Sequence, residues 1–262
     1  MKIKEVISAI ECYAPPALQE GYDNTGYQVG DPEAECTGVM LCIDPTEEIV
    51  SEAAEAGCNL LLSHHPLLFR GLKRVTGRNR MERTLARAIL TGVTIYSSHT
   101  AMDSTPGGVS WRMASLLGLT DVELLVPASP GSPAGLGVVG NLSEPLDLNG
   151  LVDLLKNCFS TPVLRLSRPR DENMTVSRLA LCGGAGAEFI TDAIAAGAQA
   201  FVTADCKLNC FLDHADDILL VDAGHFETEQ CTKQIFFDIL TEKFPNFAVC
   251  YSRKEQNPVL YK

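Results

Sequence analysis

The sequence from Leu41 to Ser63 is LCIDPTEEIVSEAAEAGCNLLLS, and the sequence 140 residues further on, Leu181–Thr203, is LCGGAGAEFITDAIAAGAQAFVT. The two stretches align without a gap. Six aligned positions carry the same residue type in both copies. These are Leu41, Cys42, Glu48, Ala53, Ala56 and Gly57 in the first copy, which align with Leu181, Cys182, Glu188, Ala193, Ala196 and Gly197 in the second. Similarity at a fixed offset indicates a duplicated structural unit. The sequence therefore predicts one supersecondary unit that occurs twice.

Each copy has the pattern strand, helix, glycine, strand. In the first copy Val39–Ile43 is apolar, Glu47–Ala56 is rich in Ala and Glu, and Leu60–Leu62 is apolar again. Gly57 suits the position just past a helix end, where a left-handed backbone is favoured. This pattern predicts a β-α-β unit with parallel strands. Because ligands of open α/β sheets gather at the carboxyl ends of strands, the residues that follow these strands are candidate site residues.

Two adjacent histidines, His64 and His65, follow the second strand of the first copy, and Ala204 and Asp205 hold the matching positions in the second copy. Adjacent residues on an extended strand point to opposite sides. Both histidines reach one cluster only if the chain turns there, and Pro66 favours such a turn. An arrangement in which the two neighbours bind two different metal ions is easier to form than one in which both bind the same ion. The alternative is that one of them is a hydrogen-bonded core residue.

Both copies also contain the pattern H-x-x-x-[DE] just past a predicted strand. His99-Thr-Ala-Met-Asp103 follows Val93–Tyr96, and His225-Phe-Glu-Thr-Glu229 follows Asp217–Val221. Residues four apart share one face of a helical turn. Imidazole and carboxylate together suit Zn, Fe, Mn, Ni or Co. We therefore predict a divalent-metal site with two metal ions per chain, built from His64, His65, Asp103, His225 and Glu229.

The two carboxylates have the central roles in this prediction. A carboxylate can bridge two metal ions, and Glu229 is the predicted bridge. Asp103 is a predicted ligand, whereas His99 either ligates as well or orients Asp103. If the site activates water, Asp103 and Glu229 are the residues that hold the metal ions for catalysis.

The remaining composition restricts partners and organisation. A formal net charge of −12 repels nucleic acid, and no apolar run approaches the ~18–20 residues of a membrane span. We expect a cytoplasmic protein whose Met1–Glu11 forms an amphipathic helix. The basic cluster within Arg70–Arg87 is either a solvated face or an anchor for a small anionic substrate.

The Pro/Gly/Ser-rich segment 127–137 is the predicted linker between two α/β halves, 1–126 and 138–262, which we expect to face each other across the site.

Several blocks resemble the family of GTP cyclohydrolase 1 type 2 homologues, also called Nif-three-like proteins, in its short form. They are Tyr22-Asp-Asn-Thr-Gly26, Ser63-His-His-Pro66, His99-Thr-Ala-Met-Asp103, Cys182-Gly-Gly-Ala-Gly186, Thr203-Ala-Asp-Cys-Lys207 and Asp222-Ala-Gly-His-Phe-Glu-Thr-Glu229. The resemblance implies a Nif-three-like fold with two metal ions between two halves, ligands on the five residues above, and a toroidal homo-hexamer with sites facing an inner cavity.

The chain departs from the family pattern at three positions. Tyr22 stands where members usually have Trp, Ala204 where they usually have Gly, and Asn209 where a His commonly follows the lysine. The third departure removes a proton carrier from that position, so no acid or base role is assigned there.

Two functions are compatible with the sequence. As a metal-dependent hydrolase, the chain would aim metal-activated water at a phosphoester or a cyclic amidine or nucleotide-like substrate. Asp23, Asn24 and Thr25 would contact this substrate, and Lys73, Arg74 or Lys207 would bind its anionic group. The Gly-rich Cys182–Gly186 segment is either an anion site or a tight strand–helix turn. The alternative function is a non-catalytic metal-binding toroidal scaffold or metal carrier.

Overall fold

A computed structural model describes residues 1–169, 171 and 173–262. The strands in these residues are β1 (Gly26–Val29), β2 (Val39–Cys42), β3 (Leu60–Ser63), β4 (Thr94–Ser97), β5 (Thr120–Pro127), β6 (Gly135–Asp147), β7 (Arg165–Leu166), β8 (Thr175–Ala185), β9 (Ala200–Ala204), β10 (Leu219–Asp222) and β11 (Val249–Tyr251). The helices are α1 (Ile3–Tyr13), α2 (Glu47–Glu55), α3 (Arg80–Thr91), α4 (Thr100–Ser104), α5 (Val109–Leu116), α6 (Leu148–Phe159), α7 (Ile190–Ala195), α8 (Leu208–Asp213), α9 (His225–Glu229) and α10 (Thr232–Lys243). A helix long and apolar enough to cross a membrane is absent from the described part of the chain.

The chain forms two compact units, and each combines two stretches of sequence. The first unit comprises Met1–Thr105 and Thr232–Gln256, and the second comprises Pro106–Cys231 and Asn257–Lys262. These bounds differ from the predicted continuous halves 1–126 and 138–262. The chain leaves the first unit after α4 and returns to it at α10.

The sheet of the first unit has the strand order β1-β4-β3-β2-β11. Strands β4, β3, β2 and β11 are parallel, and β1 is antiparallel to β4. The C-terminal strand β11 pairs with β2, with Val249 opposite Val39. This non-local pairing explains why a segment near the C-terminus belongs to the first unit. The central strands are fully buried, which accounts for their continuous apolar sequences.

The sheet of the second unit has the order β5-β6-β8-β9-β10-β7. Strands β8, β9 and β10 are parallel to one another, whereas β5, β6 and β7 each run antiparallel to their neighbours. The segment 127–137, predicted as a linker, instead forms the tip of the β5–β6 hairpin: Pro127 ends β5 opposite Gly135, which begins β6, and residues 128–134 form the turn between them. Pro, Gly and Ser favour a hairpin turn as readily as a linker, so composition alone did not distinguish them.

The duplication is visible in the register of the two sheets. Val39 is opposite Leu60 between β2 and β3, and Leu179 is opposite Ala200 between β8 and β9. Each member of the second pair lies 140 residues after its counterpart, which is the offset of the sequence repeat. Gly57 and its counterpart Gly197 both have φ 75°. The predicted α/β fold with two related halves is therefore confirmed.

The packing of the first unit fixes the strand ends that carry the candidate site. Met40, Leu61 and Ile95 of three adjacent strands form one buried cluster with Ile49 of α2 and Leu85 of α3. Thr46 caps the start of α2, because its Oγ1 accepts a hydrogen bond from the Ile49 amide at 3.3 Å. This cap satisfies one of the free amides of the first helical turn.

Candidate metal centre

In the first unit, His64 and His65 lie at the carboxyl end of β3. Their amides extend the parallel ladder, because His64 N donates to Cys42 O at 3.2 Å and His65 N donates to Ile43 O at 2.9 Å. Their rings are 5.0 Å apart, centroid to centroid, although neighbours on a regular strand point to opposite sides. The chain therefore turns at this point, and both rings reach one cluster.

His99 is the third member of that cluster. Its ring centroid lies 5.2 Å from that of His64 and 5.3 Å from that of His65. The three side chains offer ring nitrogens that all lie within 4.8 Å of one another. Asp103 follows one helical turn later on α4, and its Oδ1 lies 3.7 Å from His64 Nε2. The first unit thus contains a group that could hold a metal ion.

Each of these three histidines has an acceptor at Nδ1. His64 Nδ1 lies 3.2 Å from the Ser98 carbonyl oxygen, and His65 Nδ1 lies 3.1 Å from Asp44 Oδ1. His99 Nδ1 lies 2.8 Å from Asp23 Oδ1. A carbonyl or an ionised carboxylate only accepts, so Nδ1 must be the protonated nitrogen in each ring. Nε2 is then the basic nitrogen that can bind a metal ion.

Asp23 has a different role from the predicted contact with substrate. Its side chain is fully buried and accepts hydrogen bonds from Thr25 Oγ1, from Thr100 N and Oγ1, and from the Asn24 amide. Burial opposes ionisation of this carboxyl, but the hydrogen bonds from His99 and Thr100 outweigh burial and hold the pKa of Asp23 well below its usual range. Asp23 therefore orients His99 as a buried anion.

In the second unit, His225 and Glu229 are the first and last residues of α9. His225 Nε2 lies 3.1 Å from Glu229 Oε2, and the Glu229 side chain is buried. His225 Nδ1 lies 2.8 Å from Asp205 Oδ2, so this imidazole also has an acceptor at Nδ1. Asp205 follows β9 with φ 55°, a left-handed backbone conformation that Asp tolerates better than most residues.

Gly184 provides the space that Glu229 occupies. It lies inside β8 with φ +62°, and a Cβ at this position would come 2.1 Å from Glu229 Oε1 and 3.2 Å from His225 Nε2. Its amide donates to Thr228 Oγ1 at 3.0 Å, which connects β8 to α9. The Gly-rich segment is therefore part of a strand, and its glycine is needed for close approach to a buried carboxylate.

Three of the seven residues of the basic cluster form structural contacts through their side chains. Arg80 Nη1 donates to the Pro45 carbonyl oxygen at 2.8 Å. Arg83 and Arg87 both form ion pairs with Glu47, at 3.4 Å and 3.3 Å. These three arginines connect α3 to the start of α2. The cations of the preceding loop are exposed.

The donors of each unit suit divalent metal ions of the transition series. Each unit offers at least one imidazole with a protonated Nδ1 and one carboxylate, Asp103 in the first unit and Glu229 in the second, which are borderline-hard ligands. Asp44 and Asp205 were not among the predicted site residues. Both follow buried strands, β2 and β9, and position alone could have identified them as partners of strand-end histidines.

The fold and these residues define a class of α/β protein with duplicated β-α-β units and strand-end histidines suited to metal binding. A family model described as Duf34/NIF3 (NGG1p interacting factor 3) matches residues 1–258. The chain belongs to this DUF34/NIF3 family, as the sequence motifs had suggested.

Two relatives support this assignment, and two solved structures share the fold. A "GTP cyclohydrolase 1 type 2 homolog" of Clostridium perfringens is 34% identical over 230 residues and covers 87% of each chain, and one of Lactococcus lactis is 32% identical over 98% of each. A Bacillus cereus protein related to NIF3 superposes with a TM-score of 0.93 at 22% identity, covering 100% of this chain and 99% of that one. Staphylococcus aureus protein SA1388 has a TM-score of 0.91 at 25% identity and the same coverage.

Proposed function

We propose that this chain is a divalent-metal-dependent hydrolase with a dinuclear centre. His64, His65 and Asp103 of the first unit and His225 and Glu229 of the second are the proposed ligands, with Glu229 as the bridge. The observation that carries the proposal is the shared arrangement of His64, His65, His99 and His225, each with an acceptor at Nδ1. Isolated core histidines have no need of such uniform orientation, whereas metal-binding histidines almost always have it.

The three-histidine group supports a role as ligand for His99, which the sequence left open. His99 has the same orientation as His64 and His65, and its ring nitrogens lie within the same cluster. We therefore assign His99 as a further ligand and not only as a residue that orients Asp103. Five or six ligands exceed what one tetrahedral ion takes, which favours two ions.

When bound, two divalent ions would supply Lewis acidity and a water whose pKa is lowered towards ~7. The residues of the chain have three tasks in such a reaction. Asp103 and Glu229 balance the charge of the cations, the histidines hold them through Nε2, and Asp23, Asp44 and Asp205 fix the imidazole orientations. The substrate classes that fit this chemistry are a phosphoester and a cyclic amidine or nucleotide-like ring, and the second is consistent with the names of the relatives.

A second candidate function is a metal-binding scaffold or metal carrier without catalysis. It is supported by the same ligands, because four oriented imidazoles bind a metal ion whether or not a substrate follows. An open coordination position that holds water distinguishes a catalytic centre from a closed, structural one. In either case we propose a homo-oligomer, a toroidal hexamer by family resemblance.

The test combines metal content with activity. The purified full chain is remetallated in turn with Zn, Mn, Fe, Co and Ni, analysed for metal per chain, and assayed against phosphoesters and nucleotides. We expect close to two ions per chain and hydrolysis with at least one of these metals. One ion or fewer in every case would refute the dinuclear centre, and two ions without hydrolysis would favour the scaffold or carrier.

The matched variants are Glu229→Gln and Glu188→Gln. Glu229→Gln leaves one weak donor oxygen where two anionic oxygens are required, so we expect loss of a metal ion and of hydrolysis with an unchanged circular dichroism spectrum. Glu188 is an exposed residue of the same unit, and its variant should behave as the parent. Full metal content and activity in Glu229→Gln would exclude Glu229 as the bridge.

A further inference from the structure

The loop that follows the two histidines of the first unit is basic in an acidic protein. From Pro66 to Met81 the chain contains five cationic residues and no Asp or Glu, although its formal net charge is −12. Four of the five, Arg70, Lys73, Arg74 and Arg78, lie between β3 and α3 and are exposed, and the first three lie close to the start of the loop. Their potential is therefore opposite in sign to that of the rest of the molecule, and it attracts anions.

Arg70, Lys73 and Arg74 differ from the three arginines of α3. Arg83 and Arg87 form ion pairs with Glu47, and Arg80 donates to a backbone carbonyl. Within the described residues, no carboxylate lies within 4.0 Å of the charged groups of Arg70, Lys73 or Arg74. Three cations on one short loop repel one another, and no ion pair with a described residue offsets that repulsion.

An aromatic surface connects this loop to the histidine cluster. Phe69 and Tyr22 lie with ring centroids 6.4 Å apart and are 43% and 63% exposed. Phe69 also lies 6.2 Å from His99, with the two rings nearly perpendicular. Large aromatic side chains are rarely left this exposed next to each other, and their faces bind planar rings by stacking. The first cation, Arg70, is the residue directly after Phe69.

Both ends of the loop are held by hydrogen bonds. At its start, the Leu68 amide donates to Gln28 Oε1 at 3.0 Å, and its carbonyl accepts from Asn24 Nδ2 at 2.7 Å. At its end, Glu82 Oε2 accepts from the Thr76 amide at 2.7 Å and from the Arg78 amide at 3.1 Å. The segment from Phe69 to Val75 is therefore anchored at fixed points beside the site, and Leu72 packs against the core of the first unit, while Arg70, Lys73 and Arg74 are exposed to solvent.

We propose that Tyr22 and the loop Phe69–Arg74 form a recognition site for a small ligand that combines a planar aromatic ring with a phosphate-like anion. Phe69 and Tyr22 stack against the ring, and Arg70, Lys73 and Arg74 bind the anion by charge-assisted hydrogen bonds. This assigns a substrate class to the proposed metal centre and rests on that function, because Phe69 contacts a histidine of the cluster.

The test uses probes that carry the ring, the anion or both. Naphthylmethylphosphonate has an aromatic ring and a C–P bond that resists hydrolysis, methylphosphonate has the anion alone, and naphthalenemethanol has the ring alone. Binding of each probe to the metal-loaded full chain is measured by titration calorimetry. We expect naphthylmethylphosphonate to bind at least about tenfold more tightly than either methylphosphonate or naphthalenemethanol. Its affinity should fall as the salt concentration is raised.

Two variants separate the ring and anion subsites. Phe69→Leu should lower the affinity for naphthylmethylphosphonate about fivefold or more and leave the affinity for methylphosphonate unchanged. Phe69→Trp should retain the affinity of the parent for both. The double variant Lys73→Gln/Arg74→Gln should lower the affinity for both phosphonates about tenfold and leave the affinity for naphthalenemethanol unchanged. The matched control is Arg83→Gln/Arg87→Gln, which removes the same charge from the same region and should not affect the probes.

Metal content of every variant distinguishes failure of this inference from failure of the metal centre. Parent metal content with reduced probe binding in the loop variants supports the inference. Phosphonate binding that is lost on chelation but is equal in the parent and the Lys73→Gln/Arg74→Gln variant places the anion on the metal ions alone and overturns it. Unchanged probe binding with an altered oligomeric mass would assign the loop to a subunit contact and also overturn it. Loop-dependent binding to a chain that holds no metal ions would support the recognition site and refute the metal centre.

Discussion

Asp205 accepts a hydrogen bond from His225 Nδ1 at 2.8 Å while its own backbone is in the left-handed region with φ 55°. A non-glycine residue in this region stores about 1 kcal/mol of strain. Strained residues of this kind cluster at functional sites, where the surrounding structure holds them. The strain here places a carboxylate behind a candidate metal ligand, in the same relation that Asp44 has to His65 and Asp23 has to His99.

Two substitutions at Asp205 separate its hydrogen bond from its backbone. Asp205→Gly removes the acceptor and relieves the strain, so we expect stability without metal to be equal to or higher than that of the parent. Loss of the group that orients His225 should weaken metal affinity about 10–100-fold. Asp205→Asn keeps an acceptor and tolerates the backbone, so its affinity should remain close to the parent. Affinity is measured by competition with a chelating dye, and parent-like affinity of Asp205→Gly would show that Asp205 does not support His225.

Substitution at Gly184 should act on Glu229. In Gly184→Ala the new Cβ would come 2.1 Å from Glu229 Oε1, so the carboxylate must move. We expect lower metal content together with a loss of stability. The matched control is Gly57→Ala, where φ is +75° and no atom lies within 4 Å of the new Cβ. In that control, backbone strain alone should lower the free energy of unfolding by about 1–2 kcal/mol, and the metal content should equal that of the parent. Equal metal content in both variants would mean that Glu229 binds no metal ion.

Local pattern predicted the repeated elements well. The predicted strand Val39–Ile43 and helix Glu47–Ala56 correspond to β2 and α2 within one residue at each end, and Leu60–Leu62 lies within β3. The predicted parallel pairing in both copies is confirmed. These successes have a common cause. Buried parallel strands are short and continuously apolar, and a glycine with positive φ ends the helix of each copy, so the local sequence carries the information.

Long-range pairing could not be predicted in the same way. The pairing of β11 with β2 joins Val249 to Val39, and no periodicity in either strand specifies the other. The predicted linker is a hairpin turn for a similar reason, because Pro127 and Gly135 suit either structure. Asp23 was predicted to contact substrate, but its burial depends on Thr100, which lies far along the chain and packs over it.

The C-terminal segment should depend on Glu52 and not on Glu55, although both lie on α2. Glu52 accepts hydrogen bonds from Ser252 Oγ at 2.5 Å, from the Arg253 amide at 2.9 Å and from the Lys254 amide at 3.2 Å. Glu55 is exposed and lies 3.7 Å from Lys254 Nζ. At neutral pH we expect Glu52→Gln to lower the free energy of unfolding by about 1–3 kcal/mol. Glu55→Gln, the matched control, should lower it by about 0–1 kcal/mol.

The effect of Glu52 should also depend on pH with a defined sign. Burial would raise the pKa of Glu52, but the hydrogen bonds from Ser252, Arg253 and Lys254 outweigh it and lower that pKa. A lowered pKa stabilises the fold fully above the unfolded value of about 4.3, and this contribution is lost as the pH falls through the folded pKa. The difference in unfolding free energy between the parent and Glu52→Gln should therefore shrink as urea titrations move from about pH 6 to about pH 3. A difference that grows on acidification would contradict this assignment.

The cysteines should differ strongly in alkylation. Cys12 is exposed, whereas Cys42 is fully buried. Burial raises the pKa of the Cys42 thiol well above its usual value and that of Cys58 to about 12. Since the thiolate is the reactive form, iodoacetamide should label Cys12 first and leave Cys42 and Cys58 unmodified in the folded protein. Peptide mass spectrometry with and without denaturant measures this, and early labelling of Cys42 in native buffer would show that the first sheet opens.

The last prediction concerns the proposed sharing of metal ions by the two units. If His65 of the first unit and His225 of the second bind the same ions, neither unit holds a complete centre alone. Metal ions that bind the folded chain but not the unfolded chain would stabilise the fold by roughly 4 kcal/mol when their concentration is about 1,000-fold above Kd. Chelation should therefore clearly lower the thermal midpoint. The measured quantity is the shift in midpoint on adding metal to the chelated protein, which cancels any folding cost of a variant. We expect His65→Ala and His225→Ala each to remove most of this shift, and the double variant to remove little more, because contributions to one shared site are not additive. Separate sites would instead give two partial losses that add in the double variant, and that result would refute a common centre.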